Sequence, residues 1–413
     1  HLWGDAGRVD AGLIRSAADP MRGNIPRIYA FRFLRDFLLI MPAIVPVYRS
    51  CGLGATQILL VQAIFSAASV SFEVPSGYLA DVLGRRRALL MGAAGMAAGM
   101  TMYELATSFW QFSGAEIVLA FGYSLFSGTE SALIYDTLKA ESREAEYTRI
   151  EGKAEAWTRV GTATAAVAGG LLAAVWLRLP FVANAGTALI MFVIALTLVE
   201  PPRPTLAARA SLRQILQISR ESLVDARLLP VMVLSAGLFA VGIIGIWGYF
   251  LRLSNHGITV ASYGVYFAVF QGASAAGAAG ATRLARVFGP RGSYAFLAVI
   301  PAVLVVFACT SAPWPVLLTP LAAAGWGFST PLLLNVLNRH IDSDRRATVL
   351  SVSALLGRVL FVLVSPIFGL LSDRISDQAG FGFLAGVFAA LAGMAWWLKK
   401  RMDRACSTTA VAV

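Results

Sequence analysis

SGYLADVLGRRRALL, residues 76–90, places an aspartate, three consecutive arginines and two glycines between two apolar runs. The run before it is 58-ILLVQAIFSAASVSFEV-74, and the run after it is 88-ALLMGAAGMAAGMTMYELA-106. An apolar run of about 20 residues crosses a bilayer as a helix. The stretch therefore reads as a short loop joining two membrane spans. Gly77 is expected to end one span and Gly84 to turn the chain, since glycine tolerates positive φ and close backbone approach. Asp81 sits where a carboxylate reaches a helix end or a cation, and Arg85 and Arg86 mark one side of the membrane.

The rest of the chain repeats this pattern. It is 57% apolar and 14% charged, against roughly 25% charged for a soluble domain. In lipid only helices and closed barrels satisfy their own backbone, and these runs are too long for barrel strands. The fold class is an all-α polytopic membrane protein. The formal charge of +11 does not mark a nucleic-acid binder, because the arginines fall between apolar runs and not along one face. Cys51, Cys309 and Cys406 are far apart, and His1, His256 and His340 are scattered. Neither a disulfide framework, a metal site nor a cofactor site follows from them.

Twelve spans are expected, at about 27–49, 55–80, 87–107, 110–138, 150–176, 179–199, 229–252, 259–285, 291–311, 314–338, 347–371 and 379–398. Residues 1–21 read as a leader or added residues outside the fold, with Met21 a plausible start. Residues 22–199 form a first six-helix half and 229–400 a second, with a tail at 401–413. The connection at 200–228 opens with prolines and is rich in arginine. Leu212, Ile215, Leu216 and Leu223 fall at helical spacing behind Ser211, so a linker helix lying on the membrane surface is expected. With both termini cytoplasmic, the inner loops collect most of the Lys and Arg. The outer loops keep little more than Arg49, Arg178, Arg252 and Arg374. Cytoplasmic loops are the basic ones.

An offset of 199 residues lays the fourth and fifth spans on the tenth and eleventh. Gly128 then meets Gly327, Asp136 meets Asn335, Arg159-Val160 meets Arg358-Val359, and Gly170 meets Gly369. Two pseudo-symmetric halves around a midplane site are a transporter arrangement.

The charged loop resembles the signature between the second and third helices of the major facilitator superfamily. Gly77, Leu79, Ala80, Asp81, Gly84, Arg85 and Arg86 fit that pattern, while Val82 stands where a basic residue is common. A degenerate copy, 282-TRLARVFGPRG-292, lies in the matching place of the second half. The resemblance covers residues 22–400 and implies a conformational latch. In it, Asp81 would meet the eleventh helix, and the loop arginine would meet an acid at the inner end of the fourth, here Asp136. The drug-antiporter pattern of the fifth span is incomplete, since 165-AAVAGG-170 keeps only its last two glycines.

Charges inside spans need a partner or a job. Asp36, Glu130 and Arg159 lie roughly 13 Å deep at ~1.5 Å per residue, with Glu73 shallower and Arg358 at least as deep. Glu116, Tyr123, Ser127 and Glu130 are spaced to share one face of the fourth span, as are Glu151, Glu155 and Arg159 on the fifth. Glu130–Arg159 is then the natural ion pair, either structural or functional. Ser329 replaces Glu130 opposite Arg358, so Arg358 must find Asp36, Glu73, water or a substrate anion. Asp36, Glu73, Glu116 and Glu130 are the candidate proton carriers, though Asp36 has Arg32 and Arg35 beside it. Trp247, Tyr249, Tyr263, Tyr266, Gln271, Trp326 and Asn335 suit a cavity or plain helix packing.

The function expected is secondary active transport of a small organic solute across the inner membrane by alternating access. Coupling is to protons, efflux is the preferred direction, and a monomer suffices. The alternative is proton-coupled import of an anionic metabolite or metal chelate. A membrane-embedded enzyme would need a catalytic constellation that the sequence does not offer. A non-transporting receptor would not need midplane acids. No G-x-x-x-x-G-K-[ST] loop is present to bring ATP to the task.

Overall fold

The computed structural model describes residues 21, 23–202, 212–342 and 345–411, without side chains at 212–216, 290–295, 347 and 402–411. Residues 1–20 and Ser211 lie outside this set. The described residues form helices and no strand. Helices occupy all twelve expected spans, in the order α1 (Asn24–Arg35), α2 (Ile44–Ser50), α3 (Ala55–Leu83), α4 (Arg85–Leu105), α5 (Phe109–Phe126), α6 (Thr129–Ala140), α7 (Tyr147–Val175) and α8 (Leu179–Thr197). The linker holds α9 (Leu212–Val224). The second half holds α10 (Leu229–Asn255), α11 (Val260–Ala295), α12 (Val299–Cys309), α13 (Thr319–Arg339), α14 (Arg346–Arg374) and α15 (Asp377–Val411).

Eight described segments are individually long and apolar enough to cross a membrane. The remaining spans fall short for local reasons. The first is split into α1 and α2, the third and the eighth are diluted by glycine, alanine and polar residues such as Glu104 and Gln271, and the ninth is only 11 residues long as α12.

Two compact units emerge, one of His1–Met41 with Ser71–Ala207 and one of Pro42–Val70 with Ala208–Val413. Within the second unit, Asp373 at the end of α14 accepts from the N–H groups of Ala55 and Thr56, both at 2.8 Å, and from the Thr56 hydroxyl. That carboxylate caps α3, whose first N–H groups have no partner in their own helix.

Several local expectations are corrected. The helix does not end at Gly77 but runs on to Leu83, because the extra turn buries Ala80 against Ala88 and Leu125. Gly84 does turn the chain, at φ 112°. The linker helix is present. Its buried contact is Ile218, packed with Leu228, Met232, Leu337 and Val349, whereas Leu223 is exposed. Arg252 is no loop charge. It is fully buried, with Nε 2.8 Å from Asp377 Oδ2 and its remaining N–H groups donating to the carbonyls of Phe307, Thr310 and Ala312. The rings of Phe307 and Phe381 lie 5.3 Å from its guanidinium carbon. Arg178 likewise donates to the carbonyls of Glu104 and Ala106.

Candidate functional site

The first span stops being helical at Asp36 and resumes at Ile44. Pro42 and Pro46 explain part of this, since proline supplies no N–H and disfavours helix before it. Irregular backbone at membrane depth persists only where protein satisfies it. Fully buried Asn184 of α8 does so: its amide donates to Phe37 O at 2.7 Å and its carbonyl accepts from Ile40 N at 3.0 Å. Gly169 of α7 lets the segment lie close, because a Cβ there would sit 2.0 Å from Leu39 O.

The fourth span breaks as well. Ser127 ends α5, and Gly128, left-handed at φ 71°, starts α6. Glu130 therefore occupies the first turn of α6, while Arg32 and Arg35 occupy the last turn of α1. Each charge suits its helix end, a carboxylate at the positive N-terminus and guanidinium groups at the negative C-terminus.

The two ends meet in a charged cluster whose centre, Arg32 and Glu130, is buried. Arg32 Nε is 3.0 Å from Glu130 Oε2, with the two side chains 5% and 2% exposed. Arg35 also pairs with Glu130, and it forks onto Asp36. Arg32 reaches Glu151 of α7 at 2.9 Å and donates to Ser131 Oγ, which donates in turn to Glu151 at 2.8 Å. The Tyr123 hydroxyl donates to Arg35 O at 3.4 Å. Three carboxylates thus face two guanidinium groups, leaving one surplus negative charge when all are ionised. Glu130 Oε1 and Glu151 Oε2 are buried without a hydrogen bond.

This arrangement overturns the expected Glu130–Arg159 pair. Arg159 instead binds Glu155 on its own helix at 2.8 Å, the two side chains being 67% and 53% exposed. The break at Ser127–Gly128 also ends the common face expected for Glu116 and Glu130. Glu116 takes the hydroxyl of Tyr103 on α4. Glu73 is exposed, Arg358 is half-buried, and neither side chain has an ion-pair or hydrogen-bond partner among the described residues.

At the loop of residues 76–90, Arg85 Nη1 lies 2.9 Å from Asp81 and its Nε 3.7 Å from Asp136. The arginine and the acid of the fourth span do come together. Sequence reasoning missed Glu200, which accepts from Arg85 N at 2.8 Å and Arg86 N at 2.7 Å and so caps α4. Arg86 also donates to Leu196 O.

The aromatic set divides. Trp247, Tyr249 and Tyr263 are buried among packed helices, with Tyr263 stacked on Phe250. Tyr266 lines a small cavity with Tyr249 and Phe270, and Phe270 lies 6.4 Å from Trp326. Gln271 is half-buried, and Asn335 is exposed.

The sequence profile of the Major Facilitator Superfamily matches residues 28–364. No curated protein sequence matches the chain. Its fold is similar to solved structures of transporters. The nucleoside transporter NupG is 16% identical, with a TM-score of 0.72 over 91% of this chain and 98% of that one. A bacterial homolog of the human lysosomal transporter Spinster is 16% identical, with a TM-score of 0.73 over 92% and 97%. A D-xylose–proton symporter is 15% identical, with a TM-score of 0.68 over 91% and 95%. At these identities the likeness is one of fold.

Proposed function

We propose, for a chain that belongs to the Major Facilitator Superfamily and is thus a multi-pass membrane transporter and not an enzyme, that its transport is coupled to protons through Glu130. The carrying observation is the cluster of Asp36, Glu130 and Glu151 against Arg32 and Arg35, in which Glu130 and Arg32 are buried and the other three half-buried. Its surplus negative charge is costly in a low-dielectric interior. A proton on Glu130 removes the surplus and gives the unpaired Oε1 a hydrogen to donate. Losing that proton tightens both arginines onto the carboxylate and draws the ends of α1 and α6 together. A protonation event thereby biases two interrupted helices, which is how a switch works in this kind of fold. One solved structure of similar fold is named as a D-xylose–proton symporter, so the fold accommodates such coupling.

The Asp81–Arg85–Asp136 group acts as a latch that favours one of the alternating states. The transported species is a small organic solute, efflux is the direction, and the cell's inner membrane is the location, with both termini cytoplasmic. The exposed Glu155–Arg159 pair supports an aqueous face on α7, since paired charges at that depth are unfavourable against acyl chains.

Arg358 supports a second reading. A guanidinium group without a protein partner within a span is suited to gripping an anion, which favours import of an anionic metabolite. A thermal-shift panel of cationic, neutral and anionic solutes on purified protein separates the two. Stabilisation only by anions, abolished in Arg358→Gln, favours import. Stabilisation by neutral or cationic solutes, retained in that variant, favours the leading reading. Flux of the selected solute in vesicles, with and without a pH gradient, then tests coupling.

A further inference from the structure

The first six-helix half is shared between the two compact units. Residues 42–70, with α2 and the start of α3, cluster with the second six-helix half, whereas residues 71–83 of α3 cluster with the rest of the first. Ala55 opens α3 at the end opposite the loop of residues 76–90. Two side-chain links tie the halves together at that end, both inside the second unit. The first is Asp373 of α14, which accepts from the N–H groups of Ala55 and Thr56 and from the Thr56 hydroxyl. A carboxylate suits the positive N-terminal end of a helix. Asp373 is exposed, so water can take over these bonds when they open. The second is Arg49 of α2, whose Nη2 donates to Asn255 Oδ1 of α10 at 3.2 Å. The Asn255 amide in turn lies 3.4 Å from Asp377 Oδ2, the oxygen that holds buried Arg252.

The backbone is shaped for the same approach, which is an independent observation. A Cβ at Gly369 of α14 would lie 2.6 Å from Thr56 Cα and 2.9 Å from Ala55 O, both backbone atoms that no rotamer change can move aside. A Cβ at Gly54 would meet Asp373 Oδ2 at 2.8 Å. Glycine at these two positions lets α14 close onto the start of α3. Packing this tight is either made or lost, as a bistable interface requires.

We infer that Asp373 is a gate residue: it holds the start of α3 against α14 in this structure, and transport requires it to let go. Gly369 makes the closed contact possible, and Arg49 with Asn255 supports it. The inference rests on the alternating-access reading, but not on Glu130 or on any choice of solute. The Asp81–Arg85–Asp136 group stands at the other end of α3, so one helix carries a switching device at each end. With the termini cytoplasmic, Asp373 guards the outer side.

The test is double electron–electron resonance on the purified full chain, with Cys51, Cys309 and Cys406 replaced by alanine. It needs neither solute nor pH gradient, so a failure of proton coupling leaves it untouched. One spin-label pair, Ser50→Cys with Ser311→Cys, reads the end at Asp373. A second, Val82→Cys with His340→Cys, reads the other end, where the second and tenth spans both finish. All four positions are exposed. The first pair should give a short distance in the chain with its gate intact. Asp373→Ala should raise the ratio of long to short distances by roughly fivefold, the factor that one lost helix cap represents, and the second pair should shorten in step. Gly369→Ala should act in the same direction with the carboxylate in place. An unchanged first pair overturns the inference, as does a long distance already present with the gate intact. So does a longer first pair with the second unmoved, which would make Asp373 a local cap of α3 and nothing more. Should Asp373→Ala fail to fold, Gly369→Ala decides alone.

Discussion

Arg32 Nε stands 3.0 Å from Glu130 Oε2, on one helix that stops and one that starts inside its span. The pair joins the C-terminal end of α1 to the N-terminal end of α6. It is nearly closed to solvent, so the consequences of breaking it are large.

Arg32→Met should destabilise the protein by about 3–5 kcal/mol, because it leaves the buried Glu130 with only Arg35 to compensate it and takes from Glu151 its ion pair. Adding Glu130→Gln should recover part of that loss by removing the uncompensated charge. Thermal unfolding of the single and double variants checks this. A double variant less stable than the sum of both singles would contradict it.

Asn184 carries the unwound segment. Asn184→Leu keeps the branched shape but orphans Phe37 O and Ile40 N, at about 1–3 kcal/mol for each buried group. Chemical denaturation of purified protein measures the cost, and a change below that range would mean that the segment repacks.

The loop of residues 76–90 makes two separable predictions. Asp81→Asn should weaken transport without preventing membrane insertion, because it removes the negative charge from the 2.9 Å contact with Arg85 while leaving the fold. Glu200→Ala should instead lower stability by about 0.5–2 kcal/mol, the ordinary value of a helix cap. Expression, insertion and flux assays of the two variants separate a latch from a cap.

The linker helix offers a pH dependence. Hydrogen bonding from the Gln217 amide, with Arg345 beyond it, holds the Glu221 carboxyl below its usual range. A carboxyl lowered by folding stabilises above its unfolded pKa and loses that contribution as pH falls through the folded value. The difference in melting temperature between the protein and Glu221→Gln should therefore be present at neutral pH and vanish in acid. A constant difference would show that the contact with Arg345 does not depend on charge.

The spans were legible in the sequence because hydropathy averages over about 20 residues, the length that lipid imposes. The same averaging hides the interruptions. Residues 37–43 and 127–128 stay apolar or small, so the breaks register only as Pro42, Pro46 and Ser127-Gly128. Helical spacing across an unbroken span therefore gives Glu130 the wrong partner. An unbroken fourth span would turn it towards Arg159, whereas the restart at Gly128 turns it towards Arg32. Pseudo-symmetry did not expose the error either, since Gly327, the counterpart of Gly128, lies inside the continuous α13. The Asp81–Arg85–Asp136 group was readable, since it rests on short spacing and one family motif. Asn184, Glu200 and Arg252 had a weaker signal, each being a lone polar residue in or beside an apolar run. Depth alone does not say which backbone such a residue serves.

The central claim is that a proton on Glu130 drives the cycle. Glu130→Gln in reconstituted vesicles tests it most directly, using the solute picked out by the thermal-shift panel. The account predicts that solute exchange persists while uptake or efflux driven by a pH gradient is lost. Gradient-driven transport at the level of the unaltered protein would contradict it.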